Sequence, residues 1–518
     1  MKRVIVMFFL LTFTLFSTDY YVDIKNPKAK DTNPGTKDLP FKTINGALSH
    51  LKPGDTLYIR GGTYRESIIL AKNKKEFEKL WHYKWLKRQP WYEKNSVKEV
   101  SGESYSKMVN IIGYPGEEVY VKGSDVVSGW KKYRGNIYVV DWDYNSQQVF
   151  CDGEILQQIG GKLYDRRRER QWMGKKGNSI EDMEPGSFYY DIKKKKLYVW
   201  LKDNSNPNNH LIEASVRPLL FYFYGVEFVK MANIKFYHSN TTASPFYSTS
   251  SLSWPTNNVI LDNIECSYTD FRGLYVSGYC NTIINSKFNW NGNTGLDGSG
   301  WGHRIINCET LHNNYRYFNP GWHAGGMKVI PYAHGILLTN HTSAYNRGTG
   351  IWFDEGASGV IIQNCVVHHN EGNGIFYEIS NYGIIRNNVV YENKRTGIVV
   401  QDDSDNLILH NLVYKNGSGI RVSSIIKTRG WWGKTFGREK DNYTWVRNNL
   451  VWGNIIMDNG DSSGLETKMP YDLIMPAPEA ERNYNNLHLL LSPCGFLRRF
   501  PNSPKEGLLA GVGCFESV

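Results

Sequence analysis

Asn340–Gly350 reads NHTSAYNRGTG, Asn364–Gly374 reads NCVVHHNEGNG and Asn387–Gly397 reads NNVVYENKRTG. Each stretch opens on Asn, returns to Asn six positions on (Asn346, Asn370, Asn393) and reaches Gly at ten. The frame extends backward through Asn285–Gly295, with Asn291 at the sixth step, and Asn263–Gly273, with Thr269 there. Asn307 and Asn313 fit it as well, but their glycine, Gly326, arrives nine residues late. Forward, His410, Asn416 and Gly419 repeat it with one residue deleted, and Asn448 and Asn454 mark a further coil after an insertion.

A period that is mostly 22–24 residues signals stacked repeats, each too small to bury its own apolar face. The short β-branched runs Ile283-Ile284, Ile305-Ile306, Ile361-Ile362 and Val389-Val390, bounded by Asn or Gly, are strand-like. Strands stacked at about 4.8 Å would share one continuous core. Repeated Asn at one corner can bond to its copies above and below. The glycine is expected to supply a backbone conformation closed to other residues. A leucine-rich horseshoe lacks its signature here and a propeller needs longer blades. The expected fold is all-β, a right-handed parallel β-helix.

The rest of the 518 residues organises around that solenoid. Residues 1–18 read as a signal peptide: Met1-Lys2-Arg3 precedes an apolar run from Val4 to Phe16, too short for a comfortable membrane span. Residues 19–128 begin the β-helix, with a short capping helix at Thr43–Ser49 and a charged, helical or irregular insertion at 72–106. Residues 129–214 read as an antiparallel β insertion, 215–457 as parallel coils, and 458–518 as a tail or cap. The protein is expected to be secreted, extracellular or periplasmic, monomeric, and without an integral membrane segment once the signal is cut.

A net charge of +11 suits an anionic partner such as an acidic polysaccharide. No nucleic-acid module is present, so nucleic acid is not expected as a partner. Seven cysteines without a C-x-x-C pair make neither a disulfide scaffold nor a zinc site by spacing. Most are expected as small apolar fillers.

Aligning coils on the glycine sorts side chains by strand alternation. One residue after it stand Leu274, Leu296, Met327, Ile351, Ile375, Ile398 and Ile420, which must be interior. Two after it stand Tyr275, Asp297, Lys328, Trp352, Phe376, Val399 and Arg421, which must face out. Four after it, Asp354, Glu378 and Gln401 face out as well. Outward acids on a solenoid are ordinarily a solvated face, but here they cluster with aromatic rings. The late glycine adds a loop with Tyr315, Arg316, Tyr317, Phe318, Trp322 and His323, expected to bulge beside Lys328. This describes a sugar-binding cleft, in which rings stack on pyranoses and carboxylates move protons. The catalytic candidates are Asp297, Lys328, Asp354 and Glu378. Tyr275, Arg316, Trp322, His323, Trp352, Phe376 and Arg421 are the candidate substrate contacts. His303 is expected to be structural, and Asp402, Asp403 and Asp405 to form a turn. Trp431-Trp432, in the insertion from Ile425 to Tyr443, either reach over the cleft or pack on the helix side.

Two chemistries fit. Asp354 and Glu378 on adjacent coils suit a retaining glycosidase, which needs no cofactor, and Asp297 with Asp354, further apart, suits an inverting one. Alternatively Asp297 and Asp354 hold Ca²⁺ against a uronate and Lys328 abstracts the proton alpha to the carboxyl. A glycan-binding or surface adhesion protein without catalysis is the third reading.

Tyr21-Val22, Asn33-Pro34-Gly35-Thr36 and Pro40-Phe41-Lys42-Thr43-Ile44 resemble the start of bacterial exported parallel β-helix proteins of the DUF1565 type. Trp322-His323-Ala324-Gly325-Gly326-Met327-Lys328-Val329, Gly350-Ile351-Trp352-Phe353-Asp354 and Tyr377-Glu378 resemble the core of one subgroup. The layout is similar to glycoside hydrolase family 141, which implies action on plant cell-wall glycans through acidic residues. Lys328 and Asp354 also resemble rungs of family 9 pectate lyases, which imply a lysine base and calcium, although those lyases cluster more aspartates. Hydrolysis is preferred because carboxylates outnumber bases on this face.

Overall fold

The computed structural model describes residues 17–88, 92, 96–162, 170–241, 250–253, 255–423, 448–460 and 473–474. Residues 1–16, Trp431-Trp432 and most of the 458–518 tail lie outside them. Among the described residues, three long sheets wind into a parallel β-helix. The first runs from Asp19–Val22 to Leu450–Trp452 and the second from Val97–Glu99 to Leu473–Ile474. The third begins later, at Glu309–Leu311, and ends at Ile455–Met457. The strands that carry the glycine frame lie in the second sheet. They are Arg272–Val276, Thr294–Trp301, Gly325–His334, Thr349–Phe353, Ile375–Glu378, Thr396–Gln401 and Ser418–Ser423.

Pairing follows the sequence alignment residue for residue. Tyr275 pairs with Asp297, Asp297 with Lys328, Lys328 with Trp352, Trp352 with Phe376, Phe376 with Val399 and Val399 with Arg421. Leu274, Leu296, Met327, Ile351, Ile375, Ile398 and Ile420 are buried in one continuous core, each worth about 2 kcal/mol relative to exposure.

The sixth-step Asn residues form an interior ladder. Nδ2 of Asn291 donates to Oδ1 of Asn313 (3.0 Å), Asn313 to Asn346 (3.0 Å) and Asn346 to Asn370 (2.8 Å). Asn370 then donates to Asn393, Asn393 to Asn416 and Asn416 to Asn459, so the last coil continues the frame at Asn459 and not at Asn454, which accepts from Asn411 in a neighbouring ladder. The glycine works differently from the expectation. The coil glycines do not take the left-handed region; the opening Asn does, with φ of 53° at Asn340 and 54° at Asn364 and Asn387. Asn enters that region at little cost. The glycines are there for space: a Cβ on Gly350 would sit 2.8 Å from Nδ2 of Asn370, and one on Gly397 2.8 Å from Nδ2 of Asn416.

The N-terminal end is closed by helix Ile44–Leu48, whose Thr43 side chain accepts from Gly46 N and whose Ile44, Ala47 and Leu48 plug the core. The 72–106 insertion holds helices Lys74–Lys79 and Trp81–Leu86. Residues 124–215 form two small sheets, mostly antiparallel. They pack around a core that includes Trp130, Val149, Phe188 and Ile212. Cys266, Cys308 and Cys365 are buried fillers. No helix among the described residues is long and apolar enough to cross a membrane.

Asn370 uses both donors and accepts twice, from N and Nδ2 of Asn346. Asn370→Ala should therefore lower stability by about 2 kcal/mol, because a buried partner is left unsatisfied on each side. Urea denaturation checks this, and a change below about 0.5 kcal/mol would mean the ladder is not a stabilising element.

Candidate active site

The outward strip of the second sheet is not solvated. Asp297, Lys328, Asp354 and Glu378 expose only 1, 3, 5 and 7% of their surface. They face away from the apolar core yet are covered, and charges in that position must be paired.

Asp297 sits at the centre of one cluster. Its Oδ2 lies 2.6 Å from Nε2 of His323 and 2.6 Å from Nε of Arg272, and Gly298 N donates to its Oδ1. Burial pushes its carboxyl up, but Arg272 and His323 outweigh this and hold it below the usual carboxylate range. Burial outweighs Asp297 at His323, whose imidazole is pushed down to about 4 and stays neutral.

Lys328 anchors a second cluster. Its Nζ lies 2.9 Å from Oδ2 of Asp354, donates to the Trp322 carbonyl at 3.1 Å and stands 3.3 Å from the centroid of Trp352. The indole stacks on Phe376 at 5.0 Å. Since Lys328 and Phe376 come from the coils on either side of Trp352, both indole faces are taken. Oδ1 of Asp354 and Nε1 of Trp352 are buried without a hydrogen-bond partner. One coil on, Oε1 of Glu378 accepts from Nε2 of Gln401 at 3.2 Å.

The late-glycine loop divides its side chains. His323 turns its imidazole to Asp297, and Trp322 offers its carbonyl to Lys328. Arg316 turns the other way: it is buried against Asp270, donates to Oε1 of Gln158 at 2.6 Å and lies 4.4 Å from the Trp172 ring centroid. Burial pushes its guanidinium down to about 9. Phe318 pairs with Trp172, and Asn319 N donates to the Gln171 carbonyl. The loop expected to bulge is thus clamped under the antiparallel insertion, and Arg316 serves that clamp rather than the strip. Tyr275 is half-buried, with its hydroxyl 3.3 Å from Ser299 Oγ. Arg421 continues the strip, its Nε buried without a partner, and burial with nearby Arg395 pushes its guanidinium down. His303 holds Asn281 N and the Ser299 carbonyl, a structural role as expected.

Sequence reading missed two residues. Arg272 stands before the coil glycine, in a column otherwise held by Thr294, Gly325, Thr349, Asn373, Thr396 and Ser418. A lone Arg among small residues was a usable signal. Asp402 and Asp405 take the left-handed turn conformation as expected. Asp403 between them is fully buried, accepting from Ser380 N and Gln401 N. Burial first, then Glu378 and Asp402, push its carboxyl well up. Nothing in the local sequence distinguishes it from its neighbours.

The Right handed beta helix region family matches residues 251–383 and 332–468. The chain is a right-handed parallel β-helix protein. Residues 28–69 match the family described as Protein of unknown function (DUF1565), at the start of the β-helix. No curated protein is similar enough in sequence to be matched. Among solved structures, the β-helix is similar to XylC in complex with xylose, with TM-score 0.58 and 16% identity over 79% of this chain and 70% of that one. A glycoside hydrolase structure matches with TM-score 0.52 and 12% identity over 79% of this chain and 96% of that one. The pectate lyase Pel9A aligns over 96% of each chain at 14% identity with a TM-score of 0.36. At these identities the likeness is one of fold.

Burial and pairing of Asp297 and His323 make the site sensitive to acid. The depressed Asp297 carboxyl stabilises the fold above the usual carboxylate range and loses that contribution only as pH falls through its lowered value. His323, neutral in the fold down to about 4, takes up its proton earlier when unfolded, so stability falls as pH drops from about 6.5 toward 4. His323→Gln should flatten this slope by up to about 1.4 kcal/mol per pH unit. Thermal unfolding from pH 7 to pH 4 measures it, and an unchanged slope would contradict the burial of a neutral imidazole.

Proposed function

We propose that the protein is an exported glycoside hydrolase that cleaves a complex or acidic polysaccharide at Asp354 and Glu378. The observation that carries this reading is the burial of Asp297, Lys328, Asp354 and Glu378 together on an outward face. A structural solenoid has no use for charges held out of water at that position, whereas pre-organised charge is what a polar transition state requires. The XylC–xylose and glycoside hydrolase neighbours support a carbohydrate as the ligand class, since the same scaffold hosts it there.

Asp354 follows the strand Thr349–Phe353 and Glu378 ends the strand Ile375–Glu378 on the adjacent coil, with backbones about 4.8 Å apart. That spacing suits the carboxyl separation of about 5–5.5 Å of retaining enzymes. Asp354, ion-paired with Lys328, is the carboxylate that attacks the anomeric carbon. Glu378 gives its proton to the departing glycosidic oxygen. Water then displaces the sugar from Asp354, with Glu378 taking the proton back, so the anomeric configuration is retained. Lys328 and Trp352 orient Asp354, while Asp297, fixed by Arg272 and His323, holds the loop that covers the strip. Because both Trp352 faces are occupied, the half-buried Tyr275, Trp322 and Phe376 are the rings nearer a sugar.

The elimination reading fits this donor set less well. A calcium ion seeks six to eight oxygens, yet Asp297 is already committed to Arg272 and His323 and Asp354 to Lys328. The Lys328 amine is directed at Asp354, the Trp322 carbonyl and the Trp352 face, leaving no lone pair aimed at a substrate.

Incubation with neutral and acidic polysaccharides, with calcium added or withheld, separates these readings. Hydrolysis predicts new reducing ends without ultraviolet-absorbing unsaturated uronates, and a loss of about a thousandfold in Asp354→Asn and in Glu378→Gln. Calcium-dependent unsaturated products would overturn the assignment in favour of elimination. Glycan binding without turnover in the wild-type protein would favour the adhesion reading.

A further inference from the structure

We infer that Cys151, Asp152 and His210 form a binding site for a thiophilic divalent cation of the Zn²⁺ class on the antiparallel insertion. No residue of the Asp354 strip takes part. Sequence spacing hides the cluster, because the fold assembles it from two distant segments. Val149–Cys151 and Glu154–Ile155 form a hairpin, with Asp152 (φ 51°) and Gly153 (φ 89°) at its turn, the Asp-Gly pattern of tight hairpins. Strand Ile212–Ser215 pairs alongside and places Ile212 opposite Cys151, which brings His210 to the turn. Asp152 N donates to the Leu211 carbonyl and Leu211 N to Oδ1 of Asp152, locking the two segments together.

Oδ2 of Asp152 lies 2.7 Å from Nδ1 of His210 and 4.0 Å from Sγ of Cys151, and the three ligand atoms all fall within 4.8 Å of one another. Bonds of about 2.0–2.3 Å to a tetrahedral zinc need ligand atoms about 3.3–3.8 Å apart, so shifts of about 1 Å close the site. Sulfur, nitrogen and oxygen donors together select a borderline-soft ion over calcium or magnesium. Three protein ligands leave the fourth position to water.

The hydrogen count points the same way. Ser205 Oγ lies 2.6 Å from Oδ1 of Asp203 and 2.7 Å from Nε2 of His210. Ser205 hydrogen bonds, first from its side chain and then from its backbone, hold the Asp203 carboxyl below the usual range. It is therefore an acceptor, and the single hydroxyl hydrogen must go to it. Ser205 then accepts from Nε2–H of His210, and the other ring nitrogen, Nδ1, points at Oδ2 of Asp152, where a metal ion would join the two. The Ser205–Asp203 pair is the kind of outer support that orients a metal-binding imidazole. The carboxylates of Asp152, Asp203 and Glu154 around Cys151 attract a cation, and the thiol proton passes to solvent as the metal–sulfur bond forms.

The test is Co²⁺ and Zn²⁺ titration of the full-length protein after metal removal. One Co²⁺ per chain should give a near-ultraviolet thiolate-to-cobalt band, absent in Cys151→Ser. Zn²⁺ should compete the band away and raise the thermal midpoint by about 3 °C or more at saturating metal. Zn²⁺ affinity should drop about a hundredfold in His210→Ala and in Cys151→Ser. A wild-type protein without the cobalt band, or Cys151→Ser binding Zn²⁺ as tightly as wild type, would overturn the assignment. Polysaccharide cleavage is read separately, so failure here leaves the glycosidase proposal standing.

Discussion

The contact between each ladder Asn and the glycine of the coil before it governs this molecule. A buried amide must satisfy two donors and an acceptor, and Asn does so by bonding to its copy one coil on, provided the backbone beneath comes close. Glycine allows that approach: a Cβ on Gly273, Gly295, Gly326, Gly350, Gly374 or Gly397 would lie 2.7–2.9 Å from the next ladder amide. The two residues of the frame are thus one interlock, repeated coil after coil. A slip of one residue would bury the wrong face of every strand, so the interlock fixes register as well as stability. With register fixed, residues at one offset from the glycine stack into columns, and chemistry scattered over more than a hundred residues lines up on one strip.

What the columns hold would be ruinous without pairing. An uncompensated buried charge is strongly destabilising, yet Arg272 with Asp297 and Lys328 with Asp354 are retained under cover. The antiparallel insertion makes this possible at a distance. Through Trp172, Gln171 and Gln158 it grips Phe318, Asn319 and Arg316, and the far end of the same loop delivers Trp322 and His323 to the lysine and to Asp297. The insertion belongs to the architecture of the site even though its own residues stand outside the strip. Among the buried polar atoms without a partner, Oδ1 of Asp354 and Nε1 of Trp352 lie at the centre of the arrangement, where a ligand would supply partners.

The fold was legible because its signals are local and repeated. Counting from the glycine reproduced the pairing of Tyr275 through Arg421 without error. The reason for the glycine was misread, since left-handed backbone and tight approach both favour that residue and only coordinates separate them. The candidate site was legible as a set of columns but not as a set of contacts. That Arg316 would turn toward Gln158, or that both faces of Trp352 would be covered, depends on partners far away in sequence or on a neighbouring ring whose tilt no pattern encodes. Arg272 was readable as an exception within its column, whereas Asp403 was concealed by the turn around it.

In a crystal structure of the Asp354→Asn variant with a bound oligosaccharide, catalysis on this strip requires the reacting anomeric carbon to lie between residue 354 and the Glu378 carboxyl, with a sugar ring against Phe376. An oligosaccharide ordered on another face of the β-helix, leaving the strip of the second sheet covered and untouched, would contradict it.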